Sequence, residues 1–362
     1  LGAFLSPGTR VFVKINLLVP QASPERAVCT HPLFVREVLR LLLDHGVDVV
    51  VGDDVNFGRG DEFLSTGFRD VCNELRVTLV NLRKTGFAEV ALPGAVLKSV
   101  FIARPVLEAD AVLNLPKLKT HSFTGFTGAV KNMFGVIPYG LRLEYHRRFP
   151  RNDIFSQMLV DVFSAAPPNL TIMDAVIGME GEGPSSGVPK KVGLIIAGGD
   201  AVAVDAVASR VTGYHPLAVF TTSAADARRL GNGDLRQIDV SGEILHNVEV
   251  EDFRPSSMAS GLFRRWLPPF VYGYVSGQLK LTPEIVPEEC QYCRECIKIC
   301  PTRTIHEIRE KAWVDEAGCI HCLCCHEVCI HRAIRLHQRP VGRIIRKTER
   351  LLKMVKKLIG RI

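Results

Sequence analysis

The stretch PLFVREVLRLLLDHGVDVVVGDD, residues 32–54, decides the fold class. Val35, Val38, Leu39 and Leu42 recur at helical spacing and share one face, which predicts a helix over Pro32–His45. Val47–Val51 follows as a short β-branched run ending in Gly52-Asp53-Asp54, a strand leading into a loop. The same alternation extends outward. Arg10–Leu18, Val77–Val80, Ala111–Leu115, Leu170–Met173 and Val192–Ala197 read as further buried strands, and Asp200 stands at the N-cap of a helical stretch, Ala201–Val211. Strand–helix alternation with continuous apolar strands predicts an α/β fold with a mostly parallel sheet. Ligands of such sheets gather at loops beyond the carboxyl ends of the strands.

At 362 residues the chain is long enough for two domains. Its apolar stretches are far too short to span a bilayer. No charged leader with an apolar stretch and cleavage site is read at the start, and the lack of an initiator methionine is read as a trimmed or incomplete N-terminus. The formal net charge of +7 is a property of the tail: residues 339–362 hold nine Lys/Arg and one Glu, leaving about −1 for residues 1–338. A nucleic-acid-binding surface spread over the fold is therefore not expected. Within the tail, Val341, Ile344, Ile345, Leu352, Val355, Ile359 and Ile362 recur at helical spacing, with Arg343, Arg346, Lys347, Arg350, Lys353 and Lys357 on other faces. Such a basic amphipathic helix either packs back on the protein or attaches to an anionic membrane surface or an acidic partner. Trp266, Phe270, Tyr272 and Tyr274 suit either such a surface or interdomain packing.

Eight of the eleven cysteines form two copies of one spacing, C-x2-C-x2-C-x3-C. The first is Cys290, Cys293, Cys296 and Cys300, followed by Pro301; the second is Cys319, Cys322, Cys325 and Cys329, followed by Ile330. This is the run of bacterial ferredoxins with two 4Fe–4S clusters, in which the fourth cysteine of each run serves the other cluster. The expected ligand sets are Cys290, Cys293, Cys296 and Cys329 for one cluster, and Cys319, Cys322, Cys325 and Cys300 for the other. Zinc sites usually use two C-x2-C pairs separated by a longer loop, and disulfides between such close neighbours are sterically awkward. Cys324, beside Cys325, is read as a bystander packed at the cluster, with alternative ligation as the other reading. Thiolate-ligated clusters fit a reducing, cytoplasmic setting.

Three segments of the large domain carry candidate chemistry. In NLPKLKTHSFTGFTGAVKNMFG (114–135), Lys117, Lys119, Thr120, His121, Lys131 and Asn132 lie among glycines, a mixture suited to an anion, unless these are solvated lysines of a polar loop and following helix. In DAVIGMEGEGPSSG (174–187), Asp174, Glu180 and Glu182 follow a strand, either as metal ligands or acid and base, or as a surface turn. Gly198-Gly199-Asp200 reads as a helix cap, while Asp205 is expected to point toward the Lys-rich segment. His31 reads as a capped or hydrogen-bonded histidine, and Cys29 and Cys72 as small buried hydrophobes.

Together these residues resemble the DUF362 family in the form fused to a C-terminal ferredoxin domain. VFVKINLL (11–18), Thr30-His31-Pro32, VVVGDD (49–54), the 114–135 segment, DAVIGMEGEGP and GGDAVAVDAVA carry the likeness, which covers the large domain. A proline usual in the first segment is replaced here by Ile15. The resemblance implies an iron–sulfur protein with an α/β domain whose chemistry is unassigned. The expected organisation is an α/β domain over 1–262, a linker over 263–282, a di-cluster ferredoxin-like module over 283–337 and a basic helical tail over 338–362.

Three functions follow as expectations. In the first, two clusters relay low-potential electrons to or from an anionic small molecule. There His121, Lys131 and Asp174 would be catalytic, and Lys117, Lys119, Thr120, Asn132 and Glu180 would bind substrate. In the second, the chain is an electron carrier that docks a redox partner protein without chemistry of its own. In the third, the acidic glycine segment handles a metal or cofactor.

Overall fold

The computed structural model describes residues 2, 4–55, 63–256 and 280–338. Most of the 263–282 linker, with Trp266, Phe270, Tyr272 and Tyr274, and the helix expected over 341–362 lie outside the described residues.

Among the described residues, ten strands precede the cysteine-rich region: β1 (Arg10–Lys14), β2 (Asp48–Asp53), β3 (Thr78–Asn81), β4 (Phe87–Ala91), β5 (Ser99–Ala103), β6 (Ala111–Asn114), β7 (Lys117–His121), β8 (Gly125–Thr127), β9 (Leu170–Glu180) and β10 (Val188–Gly198). The main sheet runs β3-β2-β1-β6-β9-β7-β8, with β10 added to β9. The pairings β1–β2, β1–β6, β2–β3, β6–β9 and β7–β9 are parallel, while β7–β8 and β9–β10 are antiparallel. The protein is thus an α/β fold with a mostly parallel central sheet. Side chains alternate across β1: Phe12 enters the core on one face, Val11 and Val13 the core on the other. Burial on both faces explains why the strand reads as a continuous apolar run.

The Pro32–Asp44 helix forms on the second face and buries the four predicted residues, Val35, Val38, Leu39 and Leu42. His31 caps it, its Nδ1 accepting from the Leu33 N–H at 3.3 Å. Asp200 caps the Ala201–Val211 helix by accepting from the N–H groups of Val202 and Ala203. Cys29 and Cys72 are buried, as expected of small hydrophobes.

Three readings change. Leu170–Met173 is only the start of β9, which continues to Glu180. Gly178 lies inside the strand because a Cβ there would come 3.2–3.3 Å from Leu118, so the glycine marks close packing and not a loop. Val192–Ala197 belongs to an outer strand of alternating exposure, with Ile195 60 % exposed. Residues 117–127 form the β7–β8 hairpin, and its lysines are buried and not solvated.

The sheet order reverses around β1. The chain proceeds to β2 and β3 on one side, then returns to place β6 and β9 on the other. The carboxyl ends of β1 and β6 therefore flank the crevice where open α/β sheets bind ligands.

The cysteine-rich region has β11 (Leu281–Ile285), β12 (Ile305–Ile308), β13 (Lys311–Val314) and β14 (Ile334–Gln338), with short helices Glu295–Ile299 and Cys324–Val328. It is an internal repeat with an offset of 29 residues, the distance from Cys290 to Cys319. Left-handed residues recur at that offset: Tyr292 and His321, Arg294 and Leu323, Arg303 and Arg332. The copies interleave. β11 opens the first and pairs with β14, which closes the second, while β12 pairs with β13.

Leu39 is fully buried and Leu41, on the same helix, is 59 % exposed. Leu39→Ala is expected to lower unfolding free energy by about 2–5 kcal/mol, and Leu41→Ala by no more than about 0.5 kcal/mol, both read from urea denaturation.

Candidate functional site at the seam

A cavity of about 110 Å³ lies where the cysteine-rich region covers the carboxyl ends of β1 and β2. Lys14, Asn16, Asp53, Lys119, Lys131 and Asn132 line it from the α/β side, with Arg142 and His146 from the Tyr139–Arg148 helix. Ile299, Cys324, Glu327 and Val328 line it from the other side. Several contacts close the seam around it. Arg26 donates to the carbonyls of Ile330 and Ser185 at 3.0 Å, Ser185 Oγ donates to the His326 carbonyl at 3.2 Å, and Arg332 donates to the Gly187 carbonyl at 3.2 Å.

Burial of charge organises the cavity. Lys14 Nζ and Asp53 Oδ1 are 2.8 Å apart and almost solvent-free. Burial pushes the ammonium pKa down and the carboxyl pKa up, and their mutual attraction opposes both shifts. Asp53 also accepts from the Leu17 N–H at 2.8 Å, fixing the chain as it leaves β1. A Cβ on Gly135 would lie 2.7 Å from Asp53 Oδ1 and 2.8 Å from Lys14 Nζ, so only glycine leaves room for this pair. Arg142 binds Asp54 at 2.7 Å.

Lys119 donates to Asn16 Oδ1 at 2.8 Å and to the Val28 carbonyl at 2.7 Å, both neutral acceptors. Burial pushes its pKa down to about 7. Asn132 donates to Asn114 Oδ1 at 2.7 Å and accepts from Asn16 Nδ2 at 3.0 Å. Lys131 lines the cavity with no hydrogen-bond or ion-pair partner among the described residues. Burial lowers its pKa, against the pull of Glu327 and Cys324. The short helix carrying Lys131 and Asn132 starts on Asp205, as expected from the sequence. That carboxyl accepts from the N–H groups of Ala129 and Val130 at 2.5 and 3.0 Å, and burial raises its pKa to about 7.

His121 is buried at the edge of this arrangement. Its Nδ1 accepts from the N–H groups of Phe123 and Thr124 at 3.1 and 3.3 Å, so a neutral ring carries its proton on Nε2. Nε2 lies 3.3 Å from Glu327 Oε1, across the seam. Burial first, then Lys131, lowers the His121 pKa well below its usual value, so the ring is neutral at ordinary pH.

The structure brings Lys119, Lys131 and Asn132 together, with His121 alongside, but takes the other candidates elsewhere. Lys117 and Asp174 form a buried ion pair at 2.7 Å, and Asp174 also accepts from the His31 N–H. Thr120 Oγ1 donates to the Met179 carbonyl at 3.3 Å and accepts from the Gly183 N–H. Glu180 pairs with Arg254 at 2.7 Å, and Glu182 accepts from Ser122 at 3.0 Å. The reason is the unbroken β9, which carries Asp174 and Glu180 along its pairing with β7 and β10. The acidic glycine segment is thus spread out and does not gather round a metal.

Lys14, Asp53, Arg142, His146 and Glu327 were absent from the sequence-derived site. A lone lysine in an apolar strand and an Asp-Asp pair at a strand's carboxyl end were available signals for the first two. Glu327 hides between cysteines, and Arg142 and His146 depend on how their helix packs.

Two further cavities lie inside the cysteine-rich region. Cys290, Cys293, Cys296 and Cys329 line one of about 20 Å³, and Cys300, Cys319, Cys322 and Cys325 line one of about 10 Å³. Each takes three cysteines from one copy of the repeat and the fourth from the other. Among the described residues no three His, Cys, Asp or Glu side chains converge on a single metal ion. A four-iron cube asks for something different, one thiolate at each of four separated corners. Cys293 is exposed, whereas Cys322 and Cys325 are buried. Cys322 and Cys324 pack with Ile299 and Val328 against Tyr139 and Leu143 of the α/β domain.

Lys117→Met is expected to cost about 3–5 kcal/mol by leaving Asp174 buried and unpaired, and Lys117→Met with Asp174→Leu to recover most of that loss in denaturant unfolding. Folding lowers Lys119 from 10.5 to about 7. Between those pH values the unfolded chain holds a proton that the folded chain lacks, so this group makes stability rise with pH. Lys119→Met is expected to flatten the rise, as measured by unfolding at a series of pH values across that window.

A thylakoid-associated protein of Synechocystis sp. is 32 % identical over 233 residues, covering 64 % of this chain and 71 % of the relative. The lactate racemase apoprotein of Thermoanaerobacterium thermosaccharolyticum is similar in structure with a TM-score of 0.39 at 16 % identity, covering 54 % of this chain and 46 % of that one. A Thermotoga maritima protein gives a TM-score of 0.35 at 17 % identity, covering 54 % and 51 %. The chain thus spans about half the length of these solved structures. The sequence model of the family described as "Domain of unknown function (DUF362)" matches residues 11–210, and the chain belongs to that family.

Proposed function

We propose that this protein transfers electrons through two 4Fe–4S clusters, with Cys290, Cys293, Cys296 and Cys329 holding one and Cys300, Cys319, Cys322 and Cys325 the other. The observation that carries this reading is the three-plus-one composition of the two cysteine-lined cavities. It is the exchange of fourth ligands used by ferredoxins with two clusters. The chemistry of the donor set fits. Burial and neighbouring thiols push Cys296 up to about 12 and Cys325 well above its usual value, so these thiols ionise together only against a strong positive centre. When bound, such clusters supply one-electron transfer at low potential.

The chain's own residues tune these positions. Thr304 brings its N–H within 3.4 Å and its hydroxyl within 3.5 Å of Cys300 Sγ, and the His321 N–H donates to Cys319 Sγ at 3.4 Å. Hydrogen bonds to cluster sulfurs are a recognised determinant of potential. The exposure of Cys293 favours electron exchange with a redox partner protein at that end. At the other end, the buried set adjoins the seam cavity, where the α/β domain would hold an anionic small molecule. Neutral His121 carries its proton on Nε2, 3.3 Å from Glu327 Oε1 and without a hydrogen bond between them, a proton available to be handed on when charge arrives.

A reducing, cytoplasmic-type compartment suits these thiolates. Among the described residues no helix is long and apolar enough to cross a membrane. The thylakoid association of the relative supports peripheral membrane contact through the basic 338–362 tail.

Elemental and sulfide analysis of anaerobically purified protein tests this reading. About eight irons and eight sulfides per chain are expected, with Cys329→Ala disturbing only one of the two cluster signals in electron paramagnetic resonance. Zinc in place of iron overturns the assignment.

A further inference from the structure

The seam cavity has a charge surplus that points to a particular ligand. Its lining includes four cations, Lys14, Lys119, Lys131 and Arg142, against three carboxylates, Asp53, Asp54 and Glu327. Lys14 and Arg142 are neutralised by Asp53 and Asp54. Lys119 is held by two neutral oxygens, and Glu327 faces His121. Lys131 is left without a hydrogen-bond or ion-pair partner among the described residues, on the wall of a polar cavity. Glu327 attracts this ammonium from beyond ion-pair distance, so the space directly against Lys131 is left for an anion. Size narrows the ligand. An apolar cavity of about 150 Å³ accommodates benzene, so one of about 110 Å³ suits roughly four to six non-hydrogen atoms.

We propose that the seam cavity binds a small monocarboxylate, its carboxylate paired with Lys131 and its body seated between Leu18 and Val328. A single excess positive charge favours a monoanion over a dianion, because Asp54 and Glu327 would repel a second negative charge. Leu18, Leu143, Ile299 and Val328 supply the apolar lining that a short carbon chain would touch and a fully hydrated oxyanion would not. The ligand class rests on the electron-transfer reading only for its consequence. The bound acid would lie beside the Cys300, Cys319, Cys322 and Cys325 set, behind Cys324.

The test is calorimetric titration of acetate, glycolate and inorganic phosphate into the full chain, prepared anaerobically and assayed for iron beforehand. One saturable site for acetate or glycolate is expected. Affinity should fall at least tenfold in Lys131→Met, which removes the counter-charge, and in Leu18→Phe, which narrows the cavity, with iron content unchanged in both. No saturable carboxylate binding by iron-replete protein, a preference for phosphate, or wild-type affinity in both variants would overturn the proposal. Iron content is read separately, so loss of the cluster assignment and loss of the ligand assignment give different results.

Discussion

The structure depends on the burial of charge at the carboxyl edge of the sheet. Lys14, Lys117, Lys119, Asp53 and Asp174 are each no more than 3 % exposed. Water cannot solvate them, so each must find a partner within the fold. Each partnership also ties two elements together. Lys14 with Asp53 locks the ends of β1 and β2, Lys117 with Asp174 locks β7 to β9, and the Asp174–His31 contact sets the start of the first long helix. Most of the buried charge is therefore used to hold the edge in shape. Lys131, partly exposed on the cavity wall and without an ion-pair partner among the described residues, is where a ligand can contribute something the protein lacks.

The cysteine-rich region covers part of this edge. A crevice at the point of sheet reversal would ordinarily be open to solvent. Here the Cys324–Val328 helix and Ile299 roof it over, and carbonyls at Gly187, His326 and Ile330 tie the two parts together. The cover helps keep Lys14, Asp53 and Lys119 out of water, which strengthens the electrostatic interactions they make. It also brings one set of four cysteines next to the cavity and leaves Cys293 of the other at the surface.

Patterns of local origin were legible before the structure. Helical spacing at Val35, Val38, Leu39 and Leu42 named the buried face, because a helix exposes its periodicity directly. Asp200 declared a cap for the same local reason. Alternating apolar strands and helices were enough for the α/β class. Two features were not read in the sequence: Gly178 lies within β9 to admit Leu118, and the Lys-rich stretch folds as a hairpin. Gly178 answers to close packing between distant segments, which leaves no period in either one.

The sequence by itself determined the cysteine pairing scheme to be expected, the α/β class and the basic stretch at Lys119, Lys131 and Asn132. Each is written in spacing or composition within a short segment. Only the tertiary structure decided which charges are free. Lys117 and Lys131 look alike in the same segment, yet one meets Asp174, 57 positions away, and the other meets no partner among the described residues. Ion pairing in a dry interior depends on separations of a few ångströms, and those are set by strand register and by how the cysteine-rich region docks. Neither can be read from one residue and its neighbours.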